Sequence, residues 1–189
     1  MNTVETAVNR ALLVVDVQYD FMEGGALAIA EASSILPFVN ARIVSGDYAV
    51  VVATQDMHPI DHVSFAQWPR HCVEFTRGAE LHAGLARDRV DVVFRKGRDR
   101  DVDSYGAFLD DAGRRSGLAD CLKARGVREI DVVGLATDYC VGTSALQAAP
   151  EFRTRVLLQG CRGVGLRAED IPGMVQRLIT AGVEVVTHL

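Results

Sequence analysis

Short, almost unbroken apolar runs rich in β-branched residues recur along the chain: ALLVVDV (11–17), YAVVVATQ (48–55), DVVFRKG (91–97), EIDVVGLA (129–136), TRVLLQG (154–160) and VEVVTH (183–188). Runs of this length and composition predict β-strands. They are continuous rather than alternating, the pattern of strands covered on both faces of a parallel sheet. Between them, apolar positions three and four apart predict helices over 35–45, 113–125, 139–149 and 169–181, with Leu118 and Leu122 on one helical face. The alternation predicts an α/β fold: a doubly wound, mainly parallel six-stranded sheet with helices on both faces, a Rossmann-like three-layer arrangement. Ligands of such sheets bind outside the carboxyl ends of the strands. One segment breaks the rhythm. From Asp56 to Arg89 runs a long connection holding four of the five histidines and the single Trp. Connections this long are usually functional or disordered, and this composition favours function.

Length and composition narrow the picture. At 189 residues, 49% hydrophobic and 24% charged, the chain predicts one folded domain over 1–189. A chain of this size needs no disulfide or structural metal as a staple, so any metal it binds is expected to be functional. A net charge of -5 argues against a nucleic-acid partner. The basic cluster Arg95, Lys96, Arg98 and Arg100 is interleaved with Asp99, Asp101 and Asp103 and reads as a solvated mixed-charge loop. No run approaches the roughly 18 apolar residues of a membrane span, and acidic Glu5 precedes the first apolar run, unlike a signal peptide. The four cysteines show no CxxC spacing, which predicts reduced thiols and a cytoplasmic location.

Three strand ends carry reactive groups. The first strand ends in Asp16, the third in Lys96, and the fourth runs into Thr137-Asp138-Tyr139-Cys140, where a helix begins. Parallel strands therefore bring an acid, a base and a thiol to one edge. A helix N-terminus and a nearby Lys96 predict a thiolate-favouring site for Cys140, opposed by Asp16, so that thiol and carboxylate share one proton. Cys72, Cys121 and Cys161 read as buried structural thiols. After the second strand, Asp56 and His58 are two apart and point to the same side of an extended chain. Oxygen and nitrogen ligands of this kind suit zinc, iron or manganese, with His62 and His71 as candidates for a third position.

The blocks LLVVDVQYDFMEGGAL, TQDMHPIDHVSF, WPRHCVEFTRGAELH, RKGRDRDVDSYGAF and VVGLATDYCVGTSAL occur in that order. Through them the chain, from Ala11 to its last strand, resembles the nicotinamidase and pyrazinamidase members of the isochorismatase-like cysteine hydrolases. The resemblance implies Cys140 as nucleophile, Asp16 as proton acceptor and Lys96 as the cation between them. It implies Asp56, His58 and His71 as metal ligands, with His62 either behind them or joining them. Phe21, Trp68 and Tyr105 match the aromatic walls of the family's pocket. The backbone N–H groups of Ala136 and Cys140 match its oxyanion hole, with a cis bond between Leu135 and Ala136. Tyr19 stands where Asn is frequent, and Glu74-Phe75 where Gln-Gly is frequent.

The implied activity is hydrolysis of nicotinamide, and of pyrazinamide, to the acid and ammonia through a cysteine thioester. One divalent metal is expected, zinc first and iron(II) or manganese(II) as alternatives, with no organic cofactor. The expected partner is a small aromatic amide, bound by a monomer or homo-oligomer, with neither nucleic acid nor membrane involved. The rival enzyme reading is a metal-free relative, an isochorismatase-type or N-carbamoyl amide hydrolase. It is disfavoured because Asp56, His58 and His71 are all present. A non-catalytic small-molecule binder is disfavoured by Asp16, Lys96 and Cys140.

Overall fold

The computed structural model describes residues 9–188. The expected domain limits at 1 and 189, and the reading of the segment around Glu5, lie outside the described residues. All six predicted strands form: β1 (Arg10–Val15), β2 (Val50–Asp56), β3 (Val92–Lys96), β4 (Glu129–Leu135), β5 (Arg153–Arg162) and β6 (Glu184–Val186). They make one sheet in the order β3-β2-β1-β4-β5-β6. Every pairing is parallel. The chain thus builds outward from β1 through β2 to β3, then returns across β1 to start the other half with β4. Crevices open at such a reversal of strand order.

Four helices flank the sheet: α1 (Leu36–Val44), α2 (Leu118–Ala124), α3 (Gly142–Ala148) and α4 (Asp170–Thr180). Successive side chains of β1 enter opposite cores. Leu12 and Val14 pack with Val39 and Ile43 of α1. Leu13 and Val15 pack with Leu118 and Leu122 of α2, Ala145 of α3 and Leu178 of α4. This period-2 division is why the first run is apolar at every position.

Two details differ from the sequence reading. β3 alternates between covered and exposed residues, with Val93 43% exposed, because it is the edge strand. The helix expected from 113 begins only at Leu118: Gly113 and Gly117 both adopt positive φ, and the chain between them is a loop. The long connection after β2 holds three short 3-10 turns, Val63–Ala66, Arg77–Ala79 and Arg87–Arg89. It folds back so that His58 bridges to Val73 and Leu81 to Gln18, which fixes its histidines against the strand ends. Among the described residues no helix is long and apolar enough to cross a membrane.

Candidate active site

Asp16 directly follows β1 with φ +48, is fully buried, and exchanges two hydrogen bonds with Thr54 of β2. Its N–H donates to the Thr54 hydroxyl at 3.1 Å, and that hydroxyl donates to Asp16 Oδ1 at 2.6 Å. Gln18 adds a second clamp between the same strand ends. Its amide nitrogen donates to the Asp56 carbonyl and its oxygen accepts the Asp56 N–H, both at 2.8 Å. Lys96 ends β3 in register with Asp56 and is also buried. Its Nζ lies 2.7 Å from Asp56 Oδ1, 2.9 Å from Asp16 Oδ2, 3.0 Å from the Ser104 carbonyl and 3.5 Å from Cys140 Sγ. One buried cation thus ties together the ends of four sequence segments, as a buried charge requires.

Cys140 lies in a π-helical turn, Thr137–Val141, that leads from β4 into α3. The bond between Leu135 and Ala136, just before it, is cis, as the resemblance implied. Gly134 adopts φ +119, and a Cβ there would lie 2.1 Å from the Val15 carbonyl oxygen. Close approach of β4 to β1 therefore needs glycine. The approach brings the Cys140 sulfur and a carboxylate oxygen of Asp16 within 4.8 Å of each other.

The expected lowering of the Cys140 pKa is corrected by the structure. Burial pushes the thiol well above its ordinary range, Asp16 and Asp56 push it further, and Lys96 only partly opposes them. The resting group is a thiol. Two carboxylates within reach of one lysine are driven apart. Burial raises Asp16 more than Lys96 lowers it. Asp56 feels the same burial, but Lys96 and His58 overcome it and hold it well below the carboxylate range. Environments that separate two carboxylates in this way assign them different work. Asp16 is suited to carry a proton, and Asp56 to remain a permanent anion.

Asp56, His58 and His71 each bring one ligand atom within 4.8 Å of the others. His58 Nδ1 donates to the Gly97 carbonyl at 2.9 Å, and His71 Nδ1 to the Pro69 carbonyl at 2.8 Å. Each ring is thereby held in the tautomer that leaves Nε2 as the electron-pair donor. His58 Nε2 is buried with no hydrogen-bond partner among the described residues, 3.4 Å from Asp56 Oδ2. An orphaned nitrogen facing an anion fits a cation between them, and the donor set of one carboxylate and two imidazoles fits a divalent metal. Burial alone would lower His58, but Asp56 outweighs it and raises the imidazole pKa: a carboxylate that would hold a proton at Nε2 equally favours a metal there. Gly97 is part of the cradle, since at φ +64 a Cβ would sit 2.5 Å from His58 Cε1.

His62 stands behind this set. Its ring stacks on His58 with centroids 4.0 Å apart, and its Nδ1 accepts the Ser64 N–H at 3.3 Å. It gathers with His58 and Asp103 rather than with Asp56 and His71. Above the cluster, one pocket is lined by the expected Phe21, Trp68, Tyr105, Ala136 and Cys140. The Trp68 indole donates to the Tyr105 hydroxyl at 2.9 Å, and Phe21 tilts over His71 at 5.7 Å. Sequence reasoning missed several participants. Tyr139 closes the wall between Trp68 and Tyr105, at 5.2 and 5.6 Å between centroids, and Asp103 lines the pocket. Thr54 and Gln18 were legible only as polar interruptions in or after apolar runs. Of the other thiols, Cys72 and Cys161 are buried as expected. Cys121 is only half-buried, with its sulfur against the Arg125 guanidinium.

Fold and site together define an α/β enzyme of the doubly wound class, with a buried thiol and a set of residues that could hold a cation meeting at its strand reversal. The chain belongs to the isochorismatase family, whose Isochorismatase domain matches residues 10–171. It is 37% identical to a nicotinamidase of Escherichia coli, over 94% of each chain. It is 39% identical to a nicotinamidase/pyrazinamidase of Mycobacterium tuberculosis, over 94% of this chain and 98% of that one. Among solved structures it superposes on an L. infantum protein in complex with nicotinate with a TM-score of 0.92 and 35% identity, covering 95% of this chain and 93% of that one. It superposes on the pyrazinamidase of Pyrococcus horikoshii in complex with zinc with a TM-score of 0.83 and 35% identity, covering 95% and 99%.

Proposed function

We propose that this chain, acting as a single domain, is a metal-dependent amidohydrolase that converts nicotinamide to nicotinate and ammonia, and accepts pyrazinamide, through a thioester on Cys140. The observation that carries the reading is the meeting of Cys140, Asp16 and Lys96 with Asp56, His58 and His71 at one aromatic-walled pocket. Phe21, Trp68 and Tyr105 hold a flat heteroaromatic ring so that its carboxamide carbon faces the Cys140 sulfur, which converts an encounter into an intramolecular reaction. Asp56, His58 and His71 would hold the divalent metal, for which zinc is the ion proposed, and it would supply a Lewis-acidic anchor for a ring nitrogen.

The Cys140 thiol gives its proton to Asp16 as sulfur bonds to the carboxamide carbon. Lys96 offsets the negative charge gathered between them. The backbone N–H groups of Ala136 and Cys140 stabilise the oxyanion. Asp16 returns the proton to the departing nitrogen, the carbon–nitrogen bond breaks, and ammonia leaves. Water then attacks the thioester while Asp16 takes its proton. Breakage of the carbon–sulfur bond releases the acid, and sulfur recovers the proton from Asp16. A high resting pKa for Cys140 is consistent with this order, because thiolate forms as attack proceeds rather than beforehand.

The test is ammonia release from nicotinamide by metal-analysed protein, by chelated protein and by chelated protein resupplied with zinc. Activity that is lost on chelation and restored by zinc is expected. Full activity in metal-free protein would favour the metal-free amidase reading instead.

A further inference from the structure

Thr54 of β2 carries no charge, yet it is as fully buried as Asp16 and touches it twice. Its hydroxyl accepts the Asp16 N–H at 3.1 Å and donates to Asp16 Oδ1 at 2.6 Å. One hydroxyl thus holds both the backbone and the carboxylate of a residue whose φ of +48 is uncommon outside glycine. A backbone so placed needs its surroundings to hold it, and Thr54 is the side chain that does so.

Counting donors gives the two oxygens of Asp16 different work. An N–H can only donate, so the Thr54 hydroxyl uses a lone pair on the Asp16 N–H and its single proton on Oδ1. A proton placed on Oδ1 would displace that one, and among the described residues the buried hydroxyl has no second acceptor. The three protons of Lys96 Nζ are matched by three acceptors: Asp56 Oδ1 at 2.7 Å, the Ser104 carbonyl at 3.0 Å and Cys140 Sγ at 3.5 Å. Asp16 Oδ2 lies 2.9 Å from the same Nζ, but it is buried with no hydrogen-bond partner among the described residues. Oδ2 is therefore the oxygen with room for a proton, and it shares its cation with the Cys140 sulfur.

We propose that Thr54 is a positioning residue for the proton transfer: by occupying Asp16 Oδ1 and fixing the carboxylate, it directs the Cys140 proton to Oδ2. The sulfur–hydrogen bond breaks, its electron pair stays on sulfur to bond the carboxamide carbon, and an oxygen–hydrogen bond forms at Oδ2. Oδ2 gives that proton to the departing nitrogen as the carbon–nitrogen bond breaks. In the second half-reaction it takes a proton from water and returns it to sulfur, while Thr54 keeps its own proton throughout. This assignment rests on the thioester reading above. Thr54 also favours the ionised carboxylate: burial is the largest influence on Asp16 and raises it, whereas Lys96 and the Thr54 hydrogen bond lower it. The charged and titratable groups facing Asp16 are Lys96 of β3, Asp56 of β2 and Cys140 of the turn after β4, and a change at Thr54 replaces none of them.

Thr54→Val nearly keeps the shape and removes the hydroxyl, whereas Thr54→Ser keeps the hydroxyl and removes the methyl group. Zinc-loaded wild type and both variants are compared by circular dichroism, by bound zinc and by the pH dependence of kcat and kcat/KM for ammonia release from nicotinamide. Thr54→Val is expected to lose about tenfold or more in kcat with KM within about twofold of wild type. Its acid limb is expected to move up by about one pH unit, because the ionised carboxylate has lost a hydrogen bond. Thr54→Ser is expected to keep the wild-type acid limb and a kcat within about threefold. If Thr54→Val does not fold, Thr54→Ala, which leaves space where Val sets a methyl group against the carboxylate, takes its place beside Thr54→Ser. A hydroxyl-free variant with wild-type kcat and acid limb, a Thr54→Ser variant as impaired as the hydroxyl-free one, or an effect confined to KM or to zinc content would overturn the assignment while leaving the amidase reading intact. Wild-type protein that releases no ammonia would overturn both.

Discussion

At the scale of single residues, the site works by giving chemically similar groups dissimilar surroundings. Asp16 and Asp56 share Lys96, yet burial raises one while Lys96 and His58 hold the other down. Removing the proposed nucleophile in Cys140→Ala or the proposed proton carrier in Asp16→Asn is expected to lower amide hydrolysis at least about 10³-fold, because groups that act as a unit fail together. Circular dichroism should show both variants folded. Because Asp16 must be ionised to accept the thiol proton and its pKa is raised, kcat/KM is expected to fall on the acid side at a pH above 3.8, the ordinary value. An acid limb confined below that value would remove Asp16 from the role. The cation cradle has its own test at Gly97. Gly97→Ala places a methyl group 2.5 Å from His58 Cε1 on backbone at positive φ, so zinc affinity measured by competition with a chelator is expected to fall about 10- to 100-fold. Unchanged affinity would show that the His58 tautomer and position do not depend on that contact.

At the scale of elements, β1, β2 and β3 place Asp16, Asp56 and Lys96 at or just beyond their last residues, β4 leads into the turn that holds Cys140, and the helices hold the strands in place. Leu178 of α4 is fully buried against the core that lies behind Cys140. Leu178→Ala is expected to cost about 2–5 kcal/mol of stability by denaturant titration, through lost burial and the cavity left behind. A loss under 1 kcal/mol would mean that the site relaxes to fill the void. Elements of this kind were legible in the sequence because short, β-branched apolar runs favour strands, and β1, covered on both faces, divides its residues between two cores accordingly. Legibility failed where backbone dihedrals decided the outcome. Gly117 at φ +86 delays α2, and an edge position exposes Val93 of β3. The triad and the pair Asp56 and His58 were readable because strand ends and residue spacing carried them, whereas the spacing left His62 and His71 open as a third partner and only the resemblance chose His71. Asp103 and Tyr139 were not readable, because their place in the pocket depends on how the 97–117 loop and the π turn fold against Trp68.

At the scale of the whole molecule, the reversal of strand order between β1 and β4 creates the crevice, while a separate charge network is buried within β4 near the start of the strand. Asp131, fully buried within β4, accepts two hydrogen bonds from Arg155 at 2.7 Å and one from the Tyr48 hydroxyl at 2.8 Å. Burial, reinforced by Asp131, holds Tyr48 protonated to about 12 instead of 10.0. The folded state therefore binds this proton more tightly than the unfolded chain. Its contribution to stability is complete below pH 10 and is lost as pH rises toward 12. Tyr48→Phe is expected to flatten the alkaline decline in stability over that range, and an unaltered slope would show that Tyr48 does not supply it. The central claim is that this fold hydrolyses nicotinamide through Cys140. It is tested most directly by quenching the zinc-loaded enzyme during turnover and locating the acyl group by peptide mass mapping. A nicotinoyl group on the peptide containing Cys140, absent from Cys140→Ala, is the predicted result. Turnover that continues in Cys140→Ala, or an acyl group found on Cys72, Cys121 or Cys161 instead, would contradict the account.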